Sequence, residues 1–186
     1  MNARVQKLQI ELPPPTGKLW QTAHWISQIV SPPVVGLLTI VLCAAVAART
    51  DAWSWAGWYT LLTVILPTGY VVWLVKRGVV ADFHLPNRQD RFWPLLVTLG
   101  CTLSAWVIMV RWQAPKTLNL LAGINGVQTI LFFLITLRWK VSLHTAAITG
   151  LFVLMVTWLG TAAAGVGICV PVVAWSRVYL GRHTLA

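Results

Sequence analysis

The chain has 186 residues, 58% hydrophobic and only 10% charged, with 14 Lys and Arg against four Asp and Glu. An average soluble domain carries about 25% charged residues, so this chain lacks the polar surface that a water-soluble fold needs. Its apolar residues fall in long blocks with the basic ones between them, which points to a membrane and anionic partners there, not to nucleic acid.

Residues 1–24, beginning MNARVQKLQIELPPPTGKLW, hold no long apolar core and no cleavage pattern. They are expected to form an exposed arm, stiffened at Pro13–Pro15, and not a signal peptide. Residues 25–186 form the bundle. About 20 apolar residues cross a bilayer core as a helix. Val30–Ala48 is the first such block, interrupted by Ser31 and the Pro32–Pro33 pair. Trp55–Val75, Phe92–Val110 and Leu118–Leu137 follow, then Thr145–Gly160 and the shorter Gly165–Trp175. A single helix over 143–176 would be about 50 Å long at 1.5 Å per residue, too long for one bilayer. The small-residue stretch GTAAAGVG, 160–167, is therefore expected to turn the chain between two antiparallel helices. Backbone groups in lipid must be satisfied internally, so the expected fold class is all-α: a polytopic transmembrane bundle of about six spans.

Twelve tryptophans support these ends, with Trp53, Trp55, Trp73, Trp93, Trp112, Trp139 and Trp175 at or near block boundaries, where amphipathic rings favour the interface. Cys43, Cys101 and Cys169 stand alone within apolar blocks, without metal-ligand spacing, as small core residues do.

Six spans place the N-terminal arm and residues 76–91, 138–142 and 176–186 on one side. That side holds Arg4, Lys7, Lys18, Lys76, Arg77, Arg88, Arg91, Arg138, Lys140, Arg177 and Arg182. The other side holds Arg49, Arg111 and Lys116. The positive-inside bias puts the richer side in the cytoplasm of a bacterial-type inner or plasma membrane. Cations kept there to bind an anion would have nothing to do with topology. Both explanations stand at this point.

His84, His144 and His183 lie on the basic side, among few carboxylates. Guanidinium forks, imidazoles and hydroxyls suit a phosphate group: Arg offers paired donors to its oxygens, and His exchanges a proton near neutral pH. The plainer alternative is a rim of snorkelling cations against anionic headgroups.

The order and spacing of these residues resemble a family. SRVYLGRH, Ser176–His183, resembles the third motif of the type 2 phosphatidic acid phosphatase (PAP2) superfamily, S-R-x5-H-x3-D. VSLH, Val141–His144, resembles the second, P-S-G-H, and HLPNRQDRFWP, His84–Pro94, resembles the first, K-x6-R-P. The motif region is 84–186, and the likeness extends over roughly 55–186.

This resemblance implies a metal-independent membrane hydrolase that needs no cofactor and acts on a lipid phosphate or diphosphate. It assigns His183 as the nucleophile that forms a phosphohistidine and His144 as the general acid. Arg177, Ser142 and Arg91 match phosphate-binding positions, and Arg88 and His84 belong to the same phosphate-binding set. At the first-motif Lys position stands His84, with Arg88 or Lys76 as other sources of the charge; Phe92 replaces the Pro after Arg91. Val141 and Leu143 replace the Pro and Gly of the second motif. The third-motif carboxylate would fall at 187, so the chain is expected to be C-terminally cut, lacking that group and a closing helix. Arg177 and His183 are six residues apart, about 120° off one helical face, so the segment is expected to bend near Gly181.

Two other classes remain. One is a catalytically inactive subunit or scaffold that binds anionic lipid. The other is a bis-histidine haem protein using two of His24, His144 and His183. A prenyltransferase of the UbiA type needs two Asp-rich motifs, which four acidic residues cannot supply.

Overall fold

The computed structural model describes residues 17–80, 89–139 and 142–181, and every described secondary-structure element is helical. Helix α1, Lys18–Ile29, begins inside the segment expected to be an exposed arm and packs against the last helix with Ala23 and Ser27 buried. Ser31 then takes an extended conformation before Pro32, the conformation a following proline favours. Helix α2, Pro32–Val46, leaves this break at 47° to α1.

Helix α3, Ala52–Thr60, runs through a π turn at Leu61–Ile65 into α4, Leu66–Lys76. Pro67 has no N–H to give the Thr63 carbonyl, and the wider turn takes up the mismatch at that point. A 3-10 turn, Gln89–Arg91, leads into α5, Phe92–Arg111, which is followed by α6, Lys116–Thr136. On α6, Gly123 and Gly126 let the Trp106 indole of α5 lie flat against the helix; a Cβ on Gly123 would meet that ring at 3.4 Å.

Helix α7, Leu143–Leu159, ends at Gly160. From there a 3-10 segment, Gly160–Ile168, and α8, Cys169–Tyr179, run back along it. The register is antiparallel: a Cβ on Gly167 would lie 3.0 Å from the Phe152 ring, and Val173 packs with Ile148 and Leu151. The reversal is therefore tight at Gly160, whose φ of 61° favours glycine. The reversal thus falls at the first residue of the small-residue stretch expected to turn the chain, and the rest of that stretch begins the returning limb.

By length and composition four helical stretches can cross a membrane, Ala52–Lys76, Phe92–Arg111, Lys116–Thr136 and Leu143–Tyr179, and five can if the bent α1–α2 pair is one crossing. The last stretch is the folded-back α7–α8 hairpin. Many apolar side chains in these helices face outward, among them Val107, Val110 and Leu134, as in a bundle solvated by lipid.

The bundle is packed unequally along its length. One end holds the main core, with Ile40, Cys43, Ala56, Tyr59, Ala105, Met109, Leu118 and Leu154 in contact and Trp106 and Trp158 resting on them. Polar contacts seal this end. Arg49 bridges Asp51 at 2.6 Å and donates to the Gln113 carbonyl at 3.0 Å, and the Thr117 hydroxyl donates to the Cys43 carbonyl at 3.1 Å. The opposite end carries the α1–α2 break, Arg91, the start of α7 and the end of α8.

Candidate functional site

A cavity of about 1500 Å³ lies between the helices and extends to that second end. Its rim collects Gln28 and Ser31 from the α1–α2 break, Arg91 from the turn before α5, Ser142 and His144 from the start of α7, and Arg177 from α8. Each is there for a local reason. Arg91 closes the 3-10 turn that starts α5. Ser142 is the N-cap of α7: its Oγ accepts from the Thr145 N–H at 3.4 Å and from the Thr145 hydroxyl at 3.0 Å. His144 sits one residue inside that helix and is 8% exposed.

Arg177 reaches the rim because α8 runs antiparallel to α7, which sets it level with His144. It is 3% exposed, and its Nη1 donates to Ser27 Oγ at 2.8 Å. Its neighbour Ser176 is fully buried and donates to the Val173 carbonyl at 2.8 Å. Arg91 is 5% exposed, and burial lowers its guanidinium pKa from the ordinary value, although a guanidinium in a protein stays charged.

The electrostatics favour an anion. Two buried guanidinium groups line the same cavity as the N-termini of α2 and α7, the positive ends of those helix dipoles. Only two acidic residues are described: Asp51, at the other end of the bundle, and Asp90, next to Arg91. Forked guanidinium donors match the several acceptor oxygens of a phosphate.

Of the residues singled out from sequence, Arg91, Ser142, His144 and Arg177 thus share one cavity. His183, His84 and Arg88 lie outside the described residues. Helix α8 stops two residues before Gly181, whose φ of 64° ends the helical path there. His24 stacks on Trp20 at 5.1 Å and is not part of the cavity wall. Sequence reasoning missed Ser27, Gln28 and Ser31, because they belong to an element whose packing on α8 is not written in local pattern. The one signal was the polar break SQIVSPP before the first apolar block.

No family model matches this chain, and no curated protein or solved structure matches it either.

Proposed function

We propose that the protein is an integral membrane phosphatase of the PAP2 type, hydrolysing a lipid phosphate or diphosphate through a phosphohistidine. The observation that carries this reading is the gathering of Arg91, Ser142, His144 and Arg177, from three separated sequence motifs, on the rim of one cavity. Phosphoryl transfer asks mainly for positioning and for charge against the equatorial oxygens. Arg91 and Arg177 supply that charge. In the roles that the resemblance gives, His183 attacks phosphorus and the bond from phosphorus to the lipid oxygen breaks. His144 protonates that departing oxygen. Water then attacks the phosphohistidine, with His144 taking its proton, and free phosphate leaves.

The test is phosphate release by the purified full-length protein from phosphatidate in bilayer discs, with a metal chelator present. Release is the expected result. Failure with phosphatidate, a phosphatidylglycerol phosphate and a polyprenyl diphosphate, together with arginine-dependent binding of anionic lipid, would establish the scaffold reading instead.

The same proposal includes six crossings, with the 3-10 limb and α8 as the sixth. That limb supports the reading by its length: nine 3-10 residues and 11 α-helical ones cover about 34 Å. It puts the N-terminus and the 76–91 loop on the site's side, taken as cytoplasmic. Cysteines placed at Arg77 and Arg111 should then be labelled by an impermeant reagent from opposite sides, and one at Lys18 from the side of Arg77. Labelling of 77 and 111 from the same side would overturn this count.

A further inference from the structure

We infer that the side of this cavity between α6 and α7 is an interface for a second copy of the chain, whose α6 lies parallel to this one with Gln128 opposite Gln128. The inference does not depend on the phosphatase reading.

The position of Gln128 raises the question. It is 12 residues from the first residue of α6 and eight from the last, about 18 and 12 Å at 1.5 Å per residue. That puts a carboxamide near the middle of a helix long and apolar enough to cross a bilayer. At such depth a polar group needs a partner that is not lipid. The other two amides of α6 have one: Asn125 donates to the Tyr59 hydroxyl at 3.0 Å and Asn119 to the Ala114 carbonyl at 2.8 Å. Among the described residues the Gln128 side chain has no hydrogen-bond partner. Its Oε1 lies toward α7, where a Cβ on Gly150 would be 3.8 Å away.

The surroundings of Gln128 form a helix-binding face. Ile124, Gln128, Leu131 and Ile135 follow one another at spacings of four, three and four residues, and all line the cavity. The three apolar ones are 48%, 51% and 36% exposed, and Val153 across from them on α7 is exposed too, so the cavity is open to lipid between the two helices. The spacing is that of a seam between two helices in a left-handed pair, with Gln128 and Ile135 at a positions and Ile124 and Leu131 at d. On the other wall Ala146 and Gly150 are small, which lets a helix backbone come close.

The apolar residues alone would not choose an occupant, because acyl chains cover them as well as a helix does. The carboxamide makes the choice. It carries both donor and acceptor and is therefore complementary to itself. Two copies inserted in the same sense are related by a two-fold axis along the membrane normal, which sets their α6 helices parallel and each residue at the depth of its equivalent. At an a position of a parallel pair a residue meets that equivalent, as a buried Asn does in parallel coiled coils. A second copy thus supplies the missing donor and acceptor at the required depth, with α6 of each copy lying against α6 and α7 of the other.

The experiment is disulfide trapping of the full-length protein in bilayers, in a chain carrying Cys43→Ala, Cys101→Ala and Cys169→Ala. On oxidation, Ile124→Cys, Leu131→Cys and Ile135→Cys should form intermolecular disulfides readily. Ile130→Cys and Phe133→Cys, on the far side of α6, should form few. Self-association is measured alongside by energy transfer between labelled copies over a range of protein-to-lipid ratios. Gln128→Leu should weaken it about 3- to 20-fold, the range for one interhelical hydrogen bond in a membrane. Val153→Trp adds bulk at an exposed position of the opposite wall, so it should weaken self-association at least as much while the monomer keeps its unfolding temperature.

Energy transfer no higher than random collision gives, or disulfides formed as readily at 130 and 133 as at 124, 131 and 135, would overturn the pairing and leave the opening to lipid or to a different helix. Self-association of Gln128→Leu as tight as wild type would overturn the part given to the carboxamide, and with it the choice of a second copy.

Discussion

His183→Ala is expected to abolish phosphate release from a lipid phosphate, and His144→Ala to slow it by about 10²–10⁴-fold, the range for losing a general acid. The two losses differ in kind. Without the proposed nucleophile no covalent intermediate forms, whatever the substrate. Without the proposed acid the intermediate still forms, but the lipid oxygen must leave unprotonated. The His144→Ala defect should therefore shrink for a substrate with a good leaving group, such as an aryl phosphate, and the His183→Ala defect should not. His144 lines the cavity, away from the main core, so His144→Ala should stay folded by thermal unfolding. Activity surviving in His183→Ala would sink the motif assignment even if the protein proved to be an enzyme.

Arg177→Lys should reduce kcat by about 10²–10³-fold, the effect of removing one preorganised donor to a developing charge. Lysine keeps the charge and loses the fork. It also loses the planar group that bonds Ser27 at 2.8 Å. Ser27→Ala isolates the positioning part. It removes a hydrogen bond to a charged group, worth about 1.5–3 kcal/mol, and so should cost roughly 10- to 100-fold in kcat while KM for the lipid changes less. A merely structural role for Ser27 would lower the unfolding temperature and leave kcat alone. A wild-type kcat in Arg177→Lys would remove Arg177 from the phosphate site.

The bounds of three of the crossing stretches were legible in the chain itself. The blocks at 55–75, 92–110 and 118–137 match the helices within a few residues, because lipid demands an unbroken apolar run and tryptophans mark where it stops. The Ser31–Pro32 break was also visible, since the backbone preference before proline is local. Four of the site residues, Arg91, Ser142, His144 and Arg177, were singled out through the motif resemblance, and they sit at element ends where polar groups stand out against apolar neighbours.

What no local pattern could decide was which side of each helix faces inward. In lipid, core-facing and lipid-facing positions are both apolar, so the periodicity that marks an amphipathic helix in water fades. The cavity and the residues that share its wall follow only from packing. The extent of the turn at 160–167 was undecided for a related reason: alanines and glycines suit a loop, a 3-10 limb and a close helix contact equally, and the Phe152 ring against Gly167 chooses among them. Ser27 and Arg177 are 150 residues apart in sequence. The register of the α7–α8 hairpin and the packing of α1 against it bring them to 2.8 Å, and that pairing is a property of the tertiary structure alone.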